Sequence, residues 1–406
     1  MATLRPSPLL LPQAAHAAQI ACPPYDVVTT AEARQIAAGN PACFLHVVRP
    51  EIDLPETIDP YDPLVYQKAR ENFTRFQAEK LFVQSSGPQL LIYRLKTQAH
   101  EQTGVVGCCS VDDYDNELIC KHEKTKPDKE NDRVQHMLAL AAHPEAVLIA
   151  YRGRDEINAL VEAECRKPPL FDFRADDGVQ HTVWQVGDPA AFVWAFQTVP
   201  RLYIADGHHR SAGASRVRAH WCEQNSNHTV VEEYNFFPAT LFPAEQLRIL
   251  PYNRVVRRLP DWQPQNFLHA LRRDFLLTNN APPSPLRKGE ISLYVNGSWH
   301  GLSLKSVTQR VATAALDVTR LQEQILAPYF GIHDQRTDPR IDFVGGARGV
   351  ETLKQLVDSG EAQMAISLYP TSLDELFAVS DAGELMPPKS TWFEPKLRSG
   401  LFVHPF

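Results

Sequence analysis

No stretch of this chain reaches 18 consecutive apolar residues, and no two of its cysteines are spaced as CxxC. The first absence leaves no helical segment to cross a membrane. The second, with an odd total of seven cysteines, speaks against a zinc ribbon or a disulfide framework. Reduced thiols in a cytoplasm are expected instead. An excess of basic charge is missing too, and a formal net charge of −7 disfavours a dedicated nucleic-acid binder. No internal repeat or low-complexity segment is found. The opening MATLRPSPLLLPQAAHAAQIAC has one Arg and a Leu run broken by Pro8 and Pro12, which reads as mature protein and not as an export signal.

Several catalytic signatures are also absent. Without a Walker A loop or GxGxxG, a P-loop kinase and a Rossmann dehydrogenase are disfavoured. GASRV does not match the GxSxG elbow, and HEKTK lacks the second His of HExxH. His208 and His209 are adjacent, so on a helix they point apart and do not share one ion. No metal held by protein side chains is expected at His122, Glu123, His208 or His209.

What is present suits a globular protein of more than one domain. The 406 residues are 44% hydrophobic, and 32 prolines spread along the chain imply many short elements joined by tight turns. Residues 1–102 mix helix and strand. YQKARENFTRFQAEKLF places Ala69, Phe73, Phe76 and Leu81 near one helical face, and QLLIYRL suits a buried strand. Residues 103–245 hold strands at GVVGCCSVDDY and ELIC, and a hairpin at FDFRADDGVQHTVWQV with Asp177-Gly178 as a two-residue turn. Residues 246–406 alternate again. DVTRLQEQILAPYF is helical with Asp317 as N-cap, and GVETLKQLVDSG is helical with Gly360 at its end. AQMAISLYP is a strand, and TSLDELFAVSDAG opens with a Ser372–Glu375 capping box. The fold class is α+β.

Four stretches could carry chemistry. In YIADGHHRSAGASR, residues 203–216, a short apolar strand gives way to a helix of small residues. A helix start offers unpaired N–H groups and partial positive charge to an anion. Gly207 lets backbone approach a ligand, Arg210 can hold oxygens bidentately, and His208 and His209 add donors. Asp206 to Arg210 therefore reads as a phosphate cradle. The competing structural reading makes Asp206 a plain N-cap beside a solvated His pair. KHEKTKPDKENDR, residues 121–133, sets Glu123 beside His122 and Thr125 among Lys124, Lys126, Lys129 and Arg133. Glu123 is a candidate general base, or the stretch is a charged surface loop. MPPKSTWFEPK presents Lys389, Ser390 and Thr391 on a rigid turn suited to phosphate or carboxylate. CPPYDVV stiffens the chain ahead of Asp26. Arg336 and Arg340, in HDQRTDPRIDFVGG, are placed to pair with that loop's own aspartates.

Taken together, PPYDV, HEKT…DR, ADGHHR, RTDPRIDFVGG and MPPKSTWFEPK…SGL resemble a bacterial and archaeal family catalogued only as a domain of unknown function. LYIADGHHRSAGA is further similar to the strand–DGHHR–helix segment of free-serine kinases built on the fold of ParB and sulfiredoxin. That resemblance implies a ParB/sulfiredoxin-like mixed core in 103–245, elaborated by N- and C-terminal α/β regions. It implies Glu123, preceded by His122, as base toward a serine hydroxyl, and Asp206, Gly207, His208, His209 and Arg210 as cradle of the donor phosphates. The spacing from Glu123 to Asp206 is longer than in those small kinases, which requires an insertion that includes the hairpin. Sulfiredoxin has a Cys before its His-Arg where His208 stands here, which argues against sulfinic-acid reduction.

The expected function is a cytoplasmic small-molecule kinase converting L-serine to O-phosphoserine. ATP, with ADP or pyrophosphate as the other candidates, is the expected donor, and Mg²⁺ is expected to bridge its oxygens. Lys389, Ser390 and Thr391 would hold the donor, and Thr125, Arg133 and Asp26 the substrate. A nucleotide-sensing regulator without turnover and a ParB-like nucleic-acid protein are the alternatives. Neither a membrane nor a nucleic acid is expected as partner, and the oligomeric state is open.

Overall fold

The computed structural model describes residues 1–307 and 311–406, and it divides into two compact units. Unit 1 comprises Met1–Lys121, Thr125–Leu247 and Pro395–Phe406; unit 2 comprises His122–Lys124 and Arg248–Glu394.

Unit 1 is built on a large mixed sheet. Its strands are β1 (Leu4–Arg5), β2 (Leu91–Lys96), β3 (Glu101–Ser110), β4 (Ile119–Cys120), β5 (Val147–Tyr151), β6 (Phe171–Arg174), β7 (Gln180–Gln185), β8 (Leu202–Asp206) and β9 (Phe236–Pro243). Their order is β4-β8-β5-β9-β3-β2-β7-β6, with β1 beside β3. The β4–β8 and β5–β9 pairs are parallel and the others antiparallel. The β5 run VLIAY and the first four residues of β8 are buried throughout, as unbroken apolar strands covered on both faces should be. Ile149, Ile204 and Leu241 are fully buried, each worth roughly 1.5–3 kcal/mol of apolar transfer. Two strands from the first hundred residues, β1 and β2, thus complete the sheet of the segment that follows.

Three helices matter for the site. In α1 (Pro63–Ala78), Asp62 caps the N-terminus through Leu64 N–H, and Val65, Ala69, Phe73 and Phe76 face inward. Leu81 lies beyond the helix end. The second, α2 (Pro127–Leu140), places Pro127 in its first turn, where no amide donor is needed. The third, α3 (His208–Gln224), buries Ala212, Gly213 and Ala214. A Cβ at Gly213 would stand 3.4 Å from Arg133 Cβ and 3.5 Å from Met137 Cε, so the small residues let α3 lie close against α2.

Some local expectations change. The strand expected over GVVGCCSVDDY ends at Ser110, which caps a short helix at Val111–Asp115 by accepting Asp112 N–H. The hairpin is present, but its turn spans three residues. Ala175 N–H donates to Val179 O and Gly178 N–H to Ala175 O, with Gly178 at φ +81°. A type I turn followed by one left-handed residue explains the extra position.

Unit 2 centres on an antiparallel sheet of β10 (Tyr252–Val256), β11 (Leu276–Asn279), β12 (Glu290–Val295), β13 (Ser298–Ser303), β14 (Ile341–Gly345) and β15 (Met364–Leu368). The order is β11-β13-β12-β15-β10-β14. Helix α4 (Gly349–Asp358) buries Leu353, and α5 (Leu373–Asp381) begins with the expected capping box. Asp317 is not an N-cap. It sits one residue inside its helix, accepts Gly289 N–H and pairs with Arg320 at 2.9 Å. Arg336 and Arg340 pair with Asp334 and Asp338 of their own loop. Among the described residues, no helix is long and apolar enough to cross a membrane.

Candidate functional site

Unit 1 holds the strand–turn–helix segment. Strand β8 ends at Asp206, Gly207 takes φ +110°, and α3 starts at His208. Glycine is required at the turn because that φ strains any L side chain. A Cβ would also meet Arg210 Cζ at 3.1 Å and Val147 Cγ1 at 3.3 Å. Gly207 is the N-cap and makes no side-chain cap bond, so Asp206 does not cap α3. The Asp206 carboxylate turns to cations: Lys396 Nζ lies 3.3 Å away and Arg210 Nη2 3.5 Å away. Burial alone would raise this carboxyl, but Lys396, then Arg210, hold it well below the usual carboxylate range. Asp206 is therefore an ionised, partly exposed group between two positive charges.

Arg210 is buried and donates from Nη1 to Ala146 O. Its guanidinium fixes Asp206 to the end of β5. His209 Nε2 accepts Lys126 backbone N–H at 3.1 Å, so the neutral ring carries its proton on Nδ1. His208 is buried at the first turn of α3. Arg133, on α2, donates twice to Asp132 and lies 3.8 Å over the Tyr25 ring. Next to Tyr25, Asp26 is exposed, and its charge acts on Arg210. Thr125 donates to Glu130 Oε2 at 2.8 Å, at the start of α2.

Unit 2 holds the other predicted residues. His122 is buried, with Nε2 3.3 Å from Thr391 Oγ1, and its carbonyl accepts Met386 N–H. The HEKT and MPPKST stretches therefore meet, although 269 residues separate His122 from Thr391. Glu123, next along, is half-buried. The MPPKST turn is braced on several sides. Ser390 Oγ donates to Pro387 O, Thr371 donates to Ser390 O, and Arg254 Nη2 donates to Pro388 O. Within it Lys389 takes φ +57°, with Nζ 5.5 Å over the Tyr252 ring. Arg254 is fully buried, and burial pushes its guanidinium down to about 9.

The sequence therefore brings together Asp26, Thr125, Arg133 and Asp206–Arg210 in unit 1, and His122, Glu123 and Lys389–Thr391 in unit 2. Lys396 was not among the residues singled out. It lies inside the MPPKSTWFEPK stretch, but its position after a proline in a tail segment carries no local signal. Glu145 was missed too, as a lone acid before a buried strand.

Several solved structures are similar in outline. A free serine kinase in complex with AMP is 11% identical, covers 71% of this chain and 86% of its own, and gives a TM-score of 0.37. SbnI with C-terminal truncation, from Staphylococcus aureus, is 13% identical over 72% of this chain and 85% of its own, with a TM-score of 0.40. A conserved hypothetical protein from Pyrococcus furiosus is 13% identical over 72% and 93%, with a TM-score of 0.35. No curated protein matches the chain. Residues 4–319 match the family described as "Protein of unknown function (DUF1015)", and the chain belongs to that family.

Proposed function

We propose that the protein is a phosphotransferase acting on the hydroxyl of a small molecule, with L-serine to O-phosphoserine as the leading reaction. The observation that carries this reading is the ionised Asp206 between Lys396 and Arg210, at a glycine turn that opens a 17-residue helix. Fixed charge of both signs at a helix start suits the handling of phosphate oxygens. The donor's phosphates rest at Gly207–Arg210, where Lys396 neutralises developing charge and Arg210 keeps Asp206 in place. Asp206 would offer a hard oxygen ligand to Mg²⁺ entering with the donor, and the ion would neutralise charge on the donor phosphates.

Glu123 takes the hydroxyl proton in this scheme, so that the oxygen attacks the transferred phosphorus while the donor leaves with the negative charge. Chain path supports its assignment. Upstream, Cys120 of β4 pairs with Tyr203 of the parallel strand β8, so both strands run toward the same sheet end. Downstream, Lys126 N–H is bonded to His209. In the sequence, Glu123 falls between these two anchored positions. His122 supports the segment through Thr391.

The test is binding of magnesium ADP, measured by calorimetry on the whole chain. Lys396→Met should weaken binding about tenfold or more, on the order of 1.4 kcal/mol, at a temperature where the variant is still fully folded. Equal affinity in Lys396→Met and the unaltered protein would remove the charge argument for this site.

A further inference from the structure

Four stretches noted in the sequence converge within unit 1 on a carboxylate outside all of them. Glu145 follows Pro144 at the entry to β5 and is 5% exposed. Its Oε1 accepts the Ser399 hydroxyl and the Tyr25 backbone N–H. Its Oε2 lies 3.9 Å from Arg133 Nη1. Its charge also acts on Arg210, which is anchored on the carbonyl of the next residue, Ala146. PPYDV contributes Tyr25, the DR pair Arg133, DGHHR Arg210 and SGL Ser399.

The geometry is poor for a pair kept for stability alone. Such a pair closes to about 2.8 Å, because two desolvated charges repay their burial only with good hydrogen bonds. Here Arg133 Nη1, Glu145 Oε2 and Arg210 Nε are all buried without a hydrogen-bond partner in the protein. Around Glu145, Asp132 pairs with Arg133, Asp206 with Arg210 and Lys396, and the Asp26 charge acts on Arg210. A carboxylate that faces the Arg133 guanidinium without closing on it suits a role in aiming it.

We infer that Glu145 is a positioning residue, which sets the Arg133 guanidinium and the Tyr25–Asp26 segment for an anionic ligand without touching that ligand. The inference rests on the phosphate reading of the 206–210 turn. Ser399 and the Tyr25 amide hold one carboxylate oxygen, leaving the other to face Arg133. Shortening the side chain withdraws this second oxygen from Arg133 Nη1.

Glu145→Gln removes a buried counter-charge and can unfold unit 1, so Glu145→Asp is the deciding variant. It keeps the charge and withdraws it by one methylene. Two readouts on the full chain separate the outcomes: the nitrogen-detected Nε–H signals of Arg133 and Arg210, and calorimetric affinity for magnesium ADP. The expected result is that the Arg133 signal shifts and affinity falls about tenfold, measured where the variant is still fully folded. An unmoved Arg133 signal, or a moved one with unchanged affinity, overturns the inference and leaves Glu145 as packing. If the unaltered protein binds neither magnesium ADP nor magnesium ATP nor magnesium pyrophosphate, the phosphate reading itself falls, and the inference with it.

Discussion

Asp206 shows how far single residues can be read. Its place between an apolar strand and a helix of small residues marked a junction, and the clustered Gly, His and Arg marked it as more than a turn. Its charge partner Lys396 lay 190 residues away and was not legible, because no local pattern distinguishes one tail lysine from another. Glu145 was hidden for the same reason. An ion pair leaves a mark in the sequence only when its members lie close along the chain, as Asp334–Arg336 and Asp338–Arg340 do. The depressed Asp206 carboxyl gives a pH prediction. Its folded value lies below the unfolded one, so its contribution is complete above about pH 4 and disappears as pH falls through the folded value. Asp206→Asn should therefore be less stable than the unaltered protein at pH 7, by about 2 kcal/mol, with the gap narrowing below about pH 4. Urea unfolding at pH 7 and pH 3 checks this, and an equal gap at both would contradict it.

Elements with a strong period or a cap signature were legible: α1, β2, α4, β15 and the capping box of α5. The failures came where one short element replaced another. Ser110 ends an apolar strand and starts a helix within one residue, since a serine cap outweighs the β propensity of Val111. The last residues, Pro395–Phe406, belong to unit 1. His404–Pro405 pairs with Ala142–His143, and His404 Nε2 lies 2.8 Å from Glu233. Burial would lower His404, but Cys108 and Glu233 outweigh it and raise the ring to about 9. A folded value above the unfolded ~6.5 means the contribution is complete below pH 6.5 and lost as pH rises to about 9. Stability should fall across that window by on the order of 3 kcal/mol, and His404→Gln should flatten the decline. Thermal midpoints at pH 6, 7.5 and 9 for both proteins decide it; parallel curves would contradict the assignment.

For the whole molecule, the mixed α/β character was legible from alternating strand and helix patterns, whereas the grouping of segments was not. Chain order suggests consecutive regions, yet strands from residues 4 and 91 onward join the sheet that follows them, and the last 12 residues, 395–406, return to unit 1. Pairing of β1 on β3, or of the tail on Ala142–His143, depends on long-range packing that no sequence window contains. The central claim is chemical: phosphate moves from a donor to a small hydroxyl, with Glu123 taking the proton. Phosphorus NMR on the purified full chain tests it most directly, with Mg²⁺ and L-serine, ATP, ADP and pyrophosphate offered in parallel, and Glu123→Gln alongside. The account predicts a new phosphomonoester signal with at least one donor, reduced at least about a hundredfold in rate by Glu123→Gln. No phosphomonoester from any donor, while nucleotide still binds, would contradict it and leave a nucleotide-sensing protein in its place.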